Sequence, residues 1–327
     1  MYIYAGIDEA GYGPLFGPMV VGRAVLAIPK LDAEATPPQL WQRLSKTVAK
    51  DLRSAKGRIV VNDSKKLKTA ASGLKHLENG CLAFAGASGA DIHDVGAWLD
   101  YVGETCHRDA DCPAWYAADE DHPWQTLPGA RTPGEIAISR GMLASACDRI
   151  GIQVAELRAA VVLENKFNDM VAQTHSKAAV SFTFVSQHLQ AIWDAHGEHH
   201  PTVVIDRQGG RTHYRELIAM AFPEAGLAIE EESDAASVYT LDAGGRSMTL
   251  RFMVQAEQAH MPVALASMVA KYTRELMMQR FNAWFTEHIP NLKPTAGYGT
   301  DGKRFGQDVR PHLAGLGIDW RQVRRQA

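Results

Sequence analysis

The sequence of 327 residues predicts an α/β fold in which a mixed sheet is flanked by helices. Short β-prone runs alternate along the chain with longer stretches whose apolar residues recur at helical spacing, and this alternation is typical of α/β proteins. The hydrophobic fraction of 46% and the charged fraction of 22% are ordinary for a globular protein, and the length is sufficient for one large core.

The predicted strands are apolar, rich in β-branched residues and bounded by turn-forming residues. Gly22 is expected to mark a bulge in the second strand. The turn residues Asp242 to Gly245 predict a hairpin. The predicted strands cover residues 2–7, 19–28, 58–61, 81–86, 158–164 and 202–205, and the hairpin covers 236–254.

The predicted helices carry apolar residues three and four positions apart. The longest begins near Pro262, which suits a first helical turn, and its continuous apolar stripe predicts that it packs on the core. The predicted helices cover residues 39–53, 70–79, 134–150, 180–195, 211–221 and 262–287.

The segment from about 88 to 160 differs from the rest of the chain in its three tryptophans, its four prolines and its acidic run at 119–121. We therefore predict one catalytic domain over residues 1–327 that is interrupted by an insertion at about 88–160. No internal repeat or low-complexity tract accompanies it.

The cysteine content and the hydrophobic pattern indicate the cellular compartment in which we expect the protein. Four cysteines in a chain of this length do not indicate a disulfide framework. A zinc site using Cys81, Cys106, His107 and Cys112 is conceivable, but without a CxxC pair inert packing is the favoured interpretation. The N-terminus does not resemble a secretory signal, and no run approaches the ~18 apolar residues of a membrane span. We expect a cytoplasmic protein with no membrane partner and leave the oligomeric state open.

Acidic residues stand at the ends of predicted strands. Asp8 ends the first strand and Glu9 follows it, Asp206 ends a later strand, and Glu257 lies between the hairpin and the long helix. In an α/β sheet, the carboxyl ends of strands face the crevice where ligands bind. Clustered carboxylates resist ionisation unless a cation lies among them, and oxygen ligands suit Mg²⁺ or Mn²⁺. The alternative is that these acids are separate surface groups capping turns and helices, and spacing alone does not decide.

Other residues suit a phosphate-rich ligand. Gly11 and Gly13 allow a backbone to approach a ligand closely, and Ser64 and Lys65 place a hydroxyl and a cation just after a strand. Tyr298 lies in a glycine-rich loop, where it could stack on a sugar or base. A tight turn, a solvated loop and ordinary packing are the alternatives. The formal net charge of −3 does not indicate a nucleic-acid binder, although a local basic groove is sufficient for one.

Five segments of the chain, taken in order, resemble motifs of ribonucleases HII and HIII, the ribonuclease H type 2 group. In that family the fourth acid lies ten residues before the serine of the small-residue helix, and counting back from Ser267 gives Glu257. The matching segments are DEAGYGPLFGP at 8–18, DSKKL at 63–67, VID at 204–206, ASMVAKYTRE at 266–275 and GY at 297–298.

The resemblance implies a ribonuclease H-like fold and a function. It implies endonucleolytic hydrolysis of the RNA strand of RNA–DNA hybrids by two metal ions, leaving 5′-phosphate and 3′-hydroxyl ends. It further implies that a hybrid duplex is the partner and Mg²⁺ or Mn²⁺ the cofactor. The implied catalytic and metal residues are Asp8, Glu9, Asp206 and Glu257, and the implied substrate-binding residues are Gly11, Tyr12, Gly13, Ser64, Lys65 and Tyr298.

Two departures from the family pattern concern the substrate. Tyr12 stands where ribonuclease HII has an arginine that helps to sense the 2′-hydroxyl, and this places cleavage at a single embedded ribonucleotide in question. Glu257, where ribonuclease HII has Asp, resembles ribonuclease HIII, whose separate N-terminal domain we do not expect because the first strand starts at Tyr2. The chain falls between the subtypes. A non-catalytic nucleic-acid-binding relative and a metal-dependent nuclease acting on DNA remain the alternatives.

Overall fold

The strands of the computed structural model are built mainly from β-branched and small apolar residues. The structure describes residues 1–29, 37–109, 111–207 and 211–326. The strands within these ranges are β1 (Tyr2–Ala10), β2 (Met19–Ile28), β3 (Val48–Ala49), β4 (Ile59–Val60), β5 (Gln153–Val162), β6 (Thr202–Asp206), β7 (Gly226–Glu232), β8 (Ala236–Ala243) and β9 (Arg246–Met253).

Seven of the described strands form one sheet in the order β5-β2-β1-β6-β9-β8-β7, and β3 pairs separately with β4. The three central strands, β1, β6 and β9, run parallel. The strands on either side pair antiparallel with their neighbours. The sheet is therefore mixed, as the sequence predicts, and it has a parallel centre.

Helices cover both faces of this sheet. Successive residues of a strand point to opposite faces, so Tyr4 packs into one core and Ile3 and Ala5 into the other. The helices are α1 (Leu40–Arg43), α2 (Ser64–Leu67), α3 (Lys75–Ala87), α4 (Val95–Tyr101), α5 (Pro133–Ile150), α6 (Glu164–Thr174), α7 (Lys177–His196), α8 (Arg215–Ala221), α9 (Met261–His288), α10 (Gly299–Leu313) and α11 (Trp320–Val323).

Helix α9 packs closely on β1 and β2 because two glycines leave room for its backbone. A Cβ on Gly6 would lie 2.2 Å from backbone atoms of α9, and one on Gly22 would lie 2.3 Å from a carbonyl oxygen of the same helix. The predicted bulge at Gly22 is wrong, since the irregularity of the β2–β5 pair falls between Val25 and Leu26. Gly22 serves the approach of a helix.

Several predicted elements are confirmed. Helix α5 begins at a capping box formed by Thr132 and Glu135 and ends at Gly151 in the left-handed conformation. The β8–β9 hairpin, strand β6 and helices α7 and α9 also agree with the prediction to within a few residues. The strand predicted over 158–164 corresponds to β5 (Gln153–Val162), and the helix predicted over 211–221 begins at Arg215. Strand β7 and helices α6 and α10 were not predicted.

Two predictions are wrong for a common reason. The helix predicted over 39–53 ends at Arg43, because Val48 and Ala49 pair in parallel with Ile59 and Val60. The strand predicted over 81–86 is the second half of α3, which is buried against its neighbouring helices. A short apolar run indicates burial equally well in a helix or a strand, and here the tertiary packing selected the other element.

The segment from 88 to 160 packs into the core of the sheet. Trp98 is buried, and its indole nitrogen Nε1 donates to Thr273 Oγ1 of α9 at 3.0 Å. The last residues of the segment belong to β5, an edge strand of the main sheet. That the segment is an insertion relative to other chains stays a prediction. Among the helices described here, none is long and apolar enough to cross a membrane.

Candidate active site

Four carboxylates meet at the carboxyl ends of the three parallel strands. Asp8 and Glu9 lie at the end of β1, Asp206 is the last residue of β6, and Glu257 lies in the short 3₁₀ turn that follows β9. The Oδ1 atom of Asp206 accepts a hydrogen bond from the backbone nitrogen of Ala256 at 3.0 Å, which joins the β6 end to that turn. The fold thus brings together the four acids that the sequence predicted.

The acids influence one another electrostatically. Burial raises the pKa of Asp8 well above its ordinary value, and the negative charges of Glu9 and Asp206 raise it further. Burial also raises the pKa of Asp206 to about 7, with additional contributions from Glu257 and Glu9. A positive charge placed among these groups would favour their ionised forms.

The donor chemistry of this cluster suits Mg²⁺ or Mn²⁺, since every candidate ligand atom is a carboxylate oxygen. The side chains do not form a ready-made cage, however. Across residues 1–29, 37–109, 111–207 and 211–326, no group of three or more His, Cys, Asp or Glu side chains is arranged so that it could hold a metal ion. The same finding covers the conceivable cysteine and histidine site near Cys106. The described carboxylates are therefore near enough to interact electrostatically but are not preset for coordination.

Lys65 faces this cluster from helix α2. The helix begins after Asp63, whose Oδ1 atom accepts a hydrogen bond from the backbone nitrogen of Lys65 at 2.9 Å. Burial acts to lower the pKa of Lys65, but the charges of Asp63, Asp8 and Glu257 raise it overall. An ammonium group that is stabilised by the acids and still exposed can also contact a phosphate.

Ser64 lies beside a residue that contacts Asp8. Its buried hydroxyl accepts a hydrogen bond from the hydroxyl of Ser267 on α9 at 2.9 Å, and Ser267 is also a hydrogen-bond neighbour of the Asp8 carboxylate. The sequence placed Ser64 among the substrate contacts, and that role stays a prediction. Its position beside Ser267 was missed, because nothing in the spacing of two serines 203 residues apart indicates a contact.

The loop of residues 11–18, which we call the opening loop, follows β1 and packs against helix α9. Gly11 has a φ of +81°, and a Cβ there would lie 2.5 Å from Nε of Arg274. Gly13 has open space around it. Arg274 is buried and donates to the carbonyl oxygens of Pro18 at 3.1 Å and Phe16 at 3.0 Å. Gly11 thus serves internal packing, and Gly13 is the position where a ligand could approach the backbone.

A second buried arginine, near the C-terminal end of the chain, also hydrogen-bonds the opening loop. The Nη2 atom of Arg325 donates to the carbonyl oxygens of Gly11 and Pro14, each at 2.6 Å, and its backbone nitrogen donates to the carbonyl of Leu15 at 2.8 Å. Only 1% of the side chain is exposed. Nothing in the sequence indicated that Arg325 is internal.

A buried carboxylate supports the same loop. Oε1 of Glu164 accepts hydrogen bonds from the backbone nitrogen of Gly17 at 2.9 Å and from the hydroxyl of Tyr116 at 2.8 Å. Burial raises the pKa of Glu164 to about 7. Gly17 and Tyr116 are distant from Glu164 in the sequence, and the tertiary structure brings them next to it. The role of Glu164 was not predicted.

Two tyrosines border the cluster and the loop. Burial raises the pKa of Tyr12, the negative charge of Glu9 raises it further, and the positive charge of Arg211 lowers it. Tyr298 is 40% exposed, and the guanidinium carbon of Arg274 lies 5.0 Å from its ring centre. The carbonyl of Gly297 accepts from the backbone nitrogen of Leu15 at 2.8 Å, so the Tyr298 loop lies against the opening loop.

Asp8 and Glu257 are buried, whereas Glu9 and Asp206 are partly exposed. A cavity of about 550 Å³ lies between α3 and α5, where it is lined by residues such as Leu82, Ile136 and Arg140. This cavity and four others in the described part of the chain are lined by none of the four acids.

No protein-family model and no curated protein sequence matches the chain. Among solved structures, RNase HII of Archaeoglobus fulgidus in complex with PCNA is 15% identical, with 99% of this chain and 97% of that chain covered and a TM-score of 0.42. Ribonuclease H2 of Pyrococcus horikoshii is 14% identical, with 98% and 92% covered and a TM-score of 0.45. Bst-RNase HIII in complex with Mn²⁺ is 13% identical, with 99% and 66% covered and a TM-score of 0.42.

These structures belong to the group that the sequence motifs resemble, and the similarity extends over nearly the whole of this chain. The chain spans about two thirds of Bst-RNase HIII. At these identities and TM-scores the similarity carries no conclusion about activity, which has to be argued from the site itself.

Proposed function

We propose that the protein is an endonuclease that hydrolyses the RNA strand of RNA–DNA hybrids. The observation that supports this proposal is the convergence of Asp8, Glu9, Asp206 and Glu257 at the ends of three adjacent parallel strands, with Lys65 facing them. Binding a nucleic acid gives no reason to gather negative charge near phosphates. A divalent cation would give one, because it attracts the carboxylates and the phosphate together.

The four acids would hold Mg²⁺ or Mn²⁺ after local adjustment of their side chains. When bound, such ions activate a water and stabilise the leaving oxygen of a phosphodiester. The chain's own residues would supply the rest. Ser267 orients the carboxylate of Asp8, the ammonium of Lys65 binds a phosphate oxygen of the cleaved strand, and Tyr298 packs its exposed ring against a sugar or base. The products would carry 5′-phosphate and 3′-hydroxyl ends.

Tyr12 sets the expected substrate preference. Its phenol lies near Glu9 and is uncharged, whereas ribonuclease HII has an arginine at this place in the motif. An arginine offers several donors and a permanent charge for the sugar and phosphate at an RNA–DNA junction, but a phenol offers one hydroxyl. We therefore propose that uniform RNA–DNA hybrid is a better substrate than a DNA duplex with one embedded ribonucleotide.

The decisive variant is Asp8→Asn. Asn keeps the size of the side chain and an oxygen that can accept from the backbone nitrogen of Glu9, which lies 2.7 Å from Asp8 Oδ1. We expect hybrid cleavage to fall by at least about 10²-fold while the folded structure is retained. Asp242→Asn, at an exposed position of the hairpin, is the matched control and should cleave like the wild type.

The assay compares uniform hybrid, a duplex with one ribonucleotide and plain DNA, each with Mg²⁺, with Mn²⁺ and with EDTA. Cleavage by Asp8→Asn at the wild-type rate would refute the role of the acids, and cleavage of plain DNA alone would indicate a DNA-directed nuclease.

A non-catalytic nucleic-acid-binding protein is the second candidate. The observation in its favour is that the described carboxylates do not form a ready-made metal cage. This candidate predicts that the hybrid is bound but stays intact with either metal ion. The same three-substrate assay, read together with a binding measurement, separates the two.

A further inference from the structure

Charge is distributed unevenly along the chain. Residues 43–75 contain ten Lys and Arg residues but two Asp and Glu residues, a net charge of +8, whereas the whole chain has a formal charge of −3. The rest of the chain is therefore acidic. A basic segment of this size in an acidic protein produces a local positive field.

The folded chain places this segment beside the acidic cluster. The Nζ atom of Lys50 donates to the carbonyl of Gln258, the residue that follows Glu257. The segment is held there by the parallel pair β3–β4 and by Asn62, whose side-chain nitrogen donates to the carbonyl of Lys50 at 2.7 Å. The basic segment thus contacts the turn that carries Glu257.

Some of the basic side chains of this segment hold its structure, and others face solvent. Arg58 is half-buried, and its guanidinium donates to the carbonyls of Ser45 and Ala55. Lys46, Arg53 and Lys66 are exposed, and their charged groups make no hydrogen bond or ion pair with the described residues. We name these three residues the basic platform.

The platform lies within reach of a duplex held at the acids. A chain advances at most about 3.5 Å per residue, so the Cα atoms of Lys46 and Arg53 lie no more than about 14 Å and about 11 Å from that of Lys50. Phosphates follow one another at about 3.4 Å along each strand of a duplex. Phosphates three or four nucleotides from one held at the acids are therefore about as far from it as Lys46 and Arg53 can be from Lys50.

We propose that the basic platform binds the phosphate backbone of a nucleic-acid duplex beside the cleavage position. This inference rests on the proposed function for the placement of the duplex. Charge complementarity and the contact between Lys50 and the turn of Glu257 favour a nucleic acid over an anionic membrane. Contacts of this kind hold and orient the duplex without reading its sequence, so the platform supplies affinity for hybrid and DNA duplexes alike.

The test uses the full chain with Lys46→Gln and Arg53→Gln combined. The matched control is Arg149→Gln with Arg215→Gln, which also removes two exposed positive charges but lies on α5 and α8. Binding of a fluorescent 20-base-pair hybrid, and of a DNA duplex of the same sequence, is measured in EDTA over a range of KCl concentrations. Equal melting temperatures verify that both variants fold.

The platform variant should bind both duplexes at least about tenfold more weakly at low salt. The slope of log Kd against log KCl should fall by about 2, since each duplex phosphate contact contributes about 0.9 to that slope. In steady-state cleavage, KM should rise while kcat stays within about twofold. The control variant should match the wild type.

The outcomes separate this inference from the proposed function. If the wild type binds the duplexes, the platform variant binds them more weakly and neither protein cleaves, the nuclease activity is refuted and duplex binding by the platform is supported. Normal cleavage with the same affinity and salt slope in both variants would overturn the platform. It would equally be overturned if the variant kept its hybrid affinity but lost binding to phosphatidylserine vesicles.

Discussion

Replacing Asp206 with Asn should stabilise the metal-free protein at alkaline pH while removing its activity. Asp206 is a half-buried acid among other acids, and its pKa is raised from 3.8 to about 7 mainly by the burial it has. Asn carries no charge and keeps an oxygen that can accept from the backbone nitrogen of Ala256. The substitution therefore removes a repulsion and retains the hydrogen bond.

The size of the effect follows from proton linkage. A folded-state pKa above the unfolded one means that the folded protein binds more protons between pH 4 and 7, so stability is lost as pH rises through that window. A rise from 3.8 to about 7 corresponds to at most about 4 kcal/mol. Because Asp206 is partly exposed and its neighbours can adjust, we expect a gain of about 1–3 kcal/mol at pH 8 and nearly none at pH 4.

Urea denaturation in EDTA at pH 4 and pH 8 measures this difference for the wild type, Asp206→Asn and the exposed control Asp242→Asn. The control should show the same free energy of unfolding as the wild type at each pH. Equal stability of Asp206→Asn and the wild type at pH 8, or a gain that does not change with pH, would refute the electrostatic reasoning.

Three further predictions concern the supports of the site. Arg325→Met should lower the free energy of unfolding by roughly 2–4 kcal/mol because two loop carbonyls lose a buried donor; Arg325→Lys should recover only part of this, and a loss below about 1 kcal/mol in urea denaturation would contradict the prediction. Gly22→Ala should cost roughly 2–4 kcal/mol in the same measurement, since its Cβ would lie 2.3 Å from α9, whereas Gly141→Ala, in an open helical position, should stabilise by roughly 0.5–1 kcal/mol. Mg²⁺ should raise the melting temperature of the wild type more than that of Asp8→Asn, because binding at a hundredfold excess over Kd stabilises the folded state by up to about 2.7 kcal/mol. Equal shifts in melting temperature would argue against binding at the acids.

The strand-end acids could be predicted from the sequence because each of them interrupts or follows a short apolar run. Such runs define β1 and β6, and the Gly244–Gly245 turn defines the hairpin that leads to Glu257. The apolar stripe of α9 is long enough to distinguish a helix from a strand. At 81–86 the run was too short for that distinction, and burial inside α3 produced the same pattern as a strand.

The sequence by itself determined the types of groups in the site, their order and the elements that carry them. The tertiary structure alone decided which charged residues became internal. Glu164 meets Gly17 across 147 positions, and Arg325 meets the opening loop across more than 300. Burying a charge costs free energy unless partners surround it, and those partners are brought together by the packing of the sheet against α6, α9 and the end of the chain. A local pattern cannot contain that information, because its period extends over a few residues.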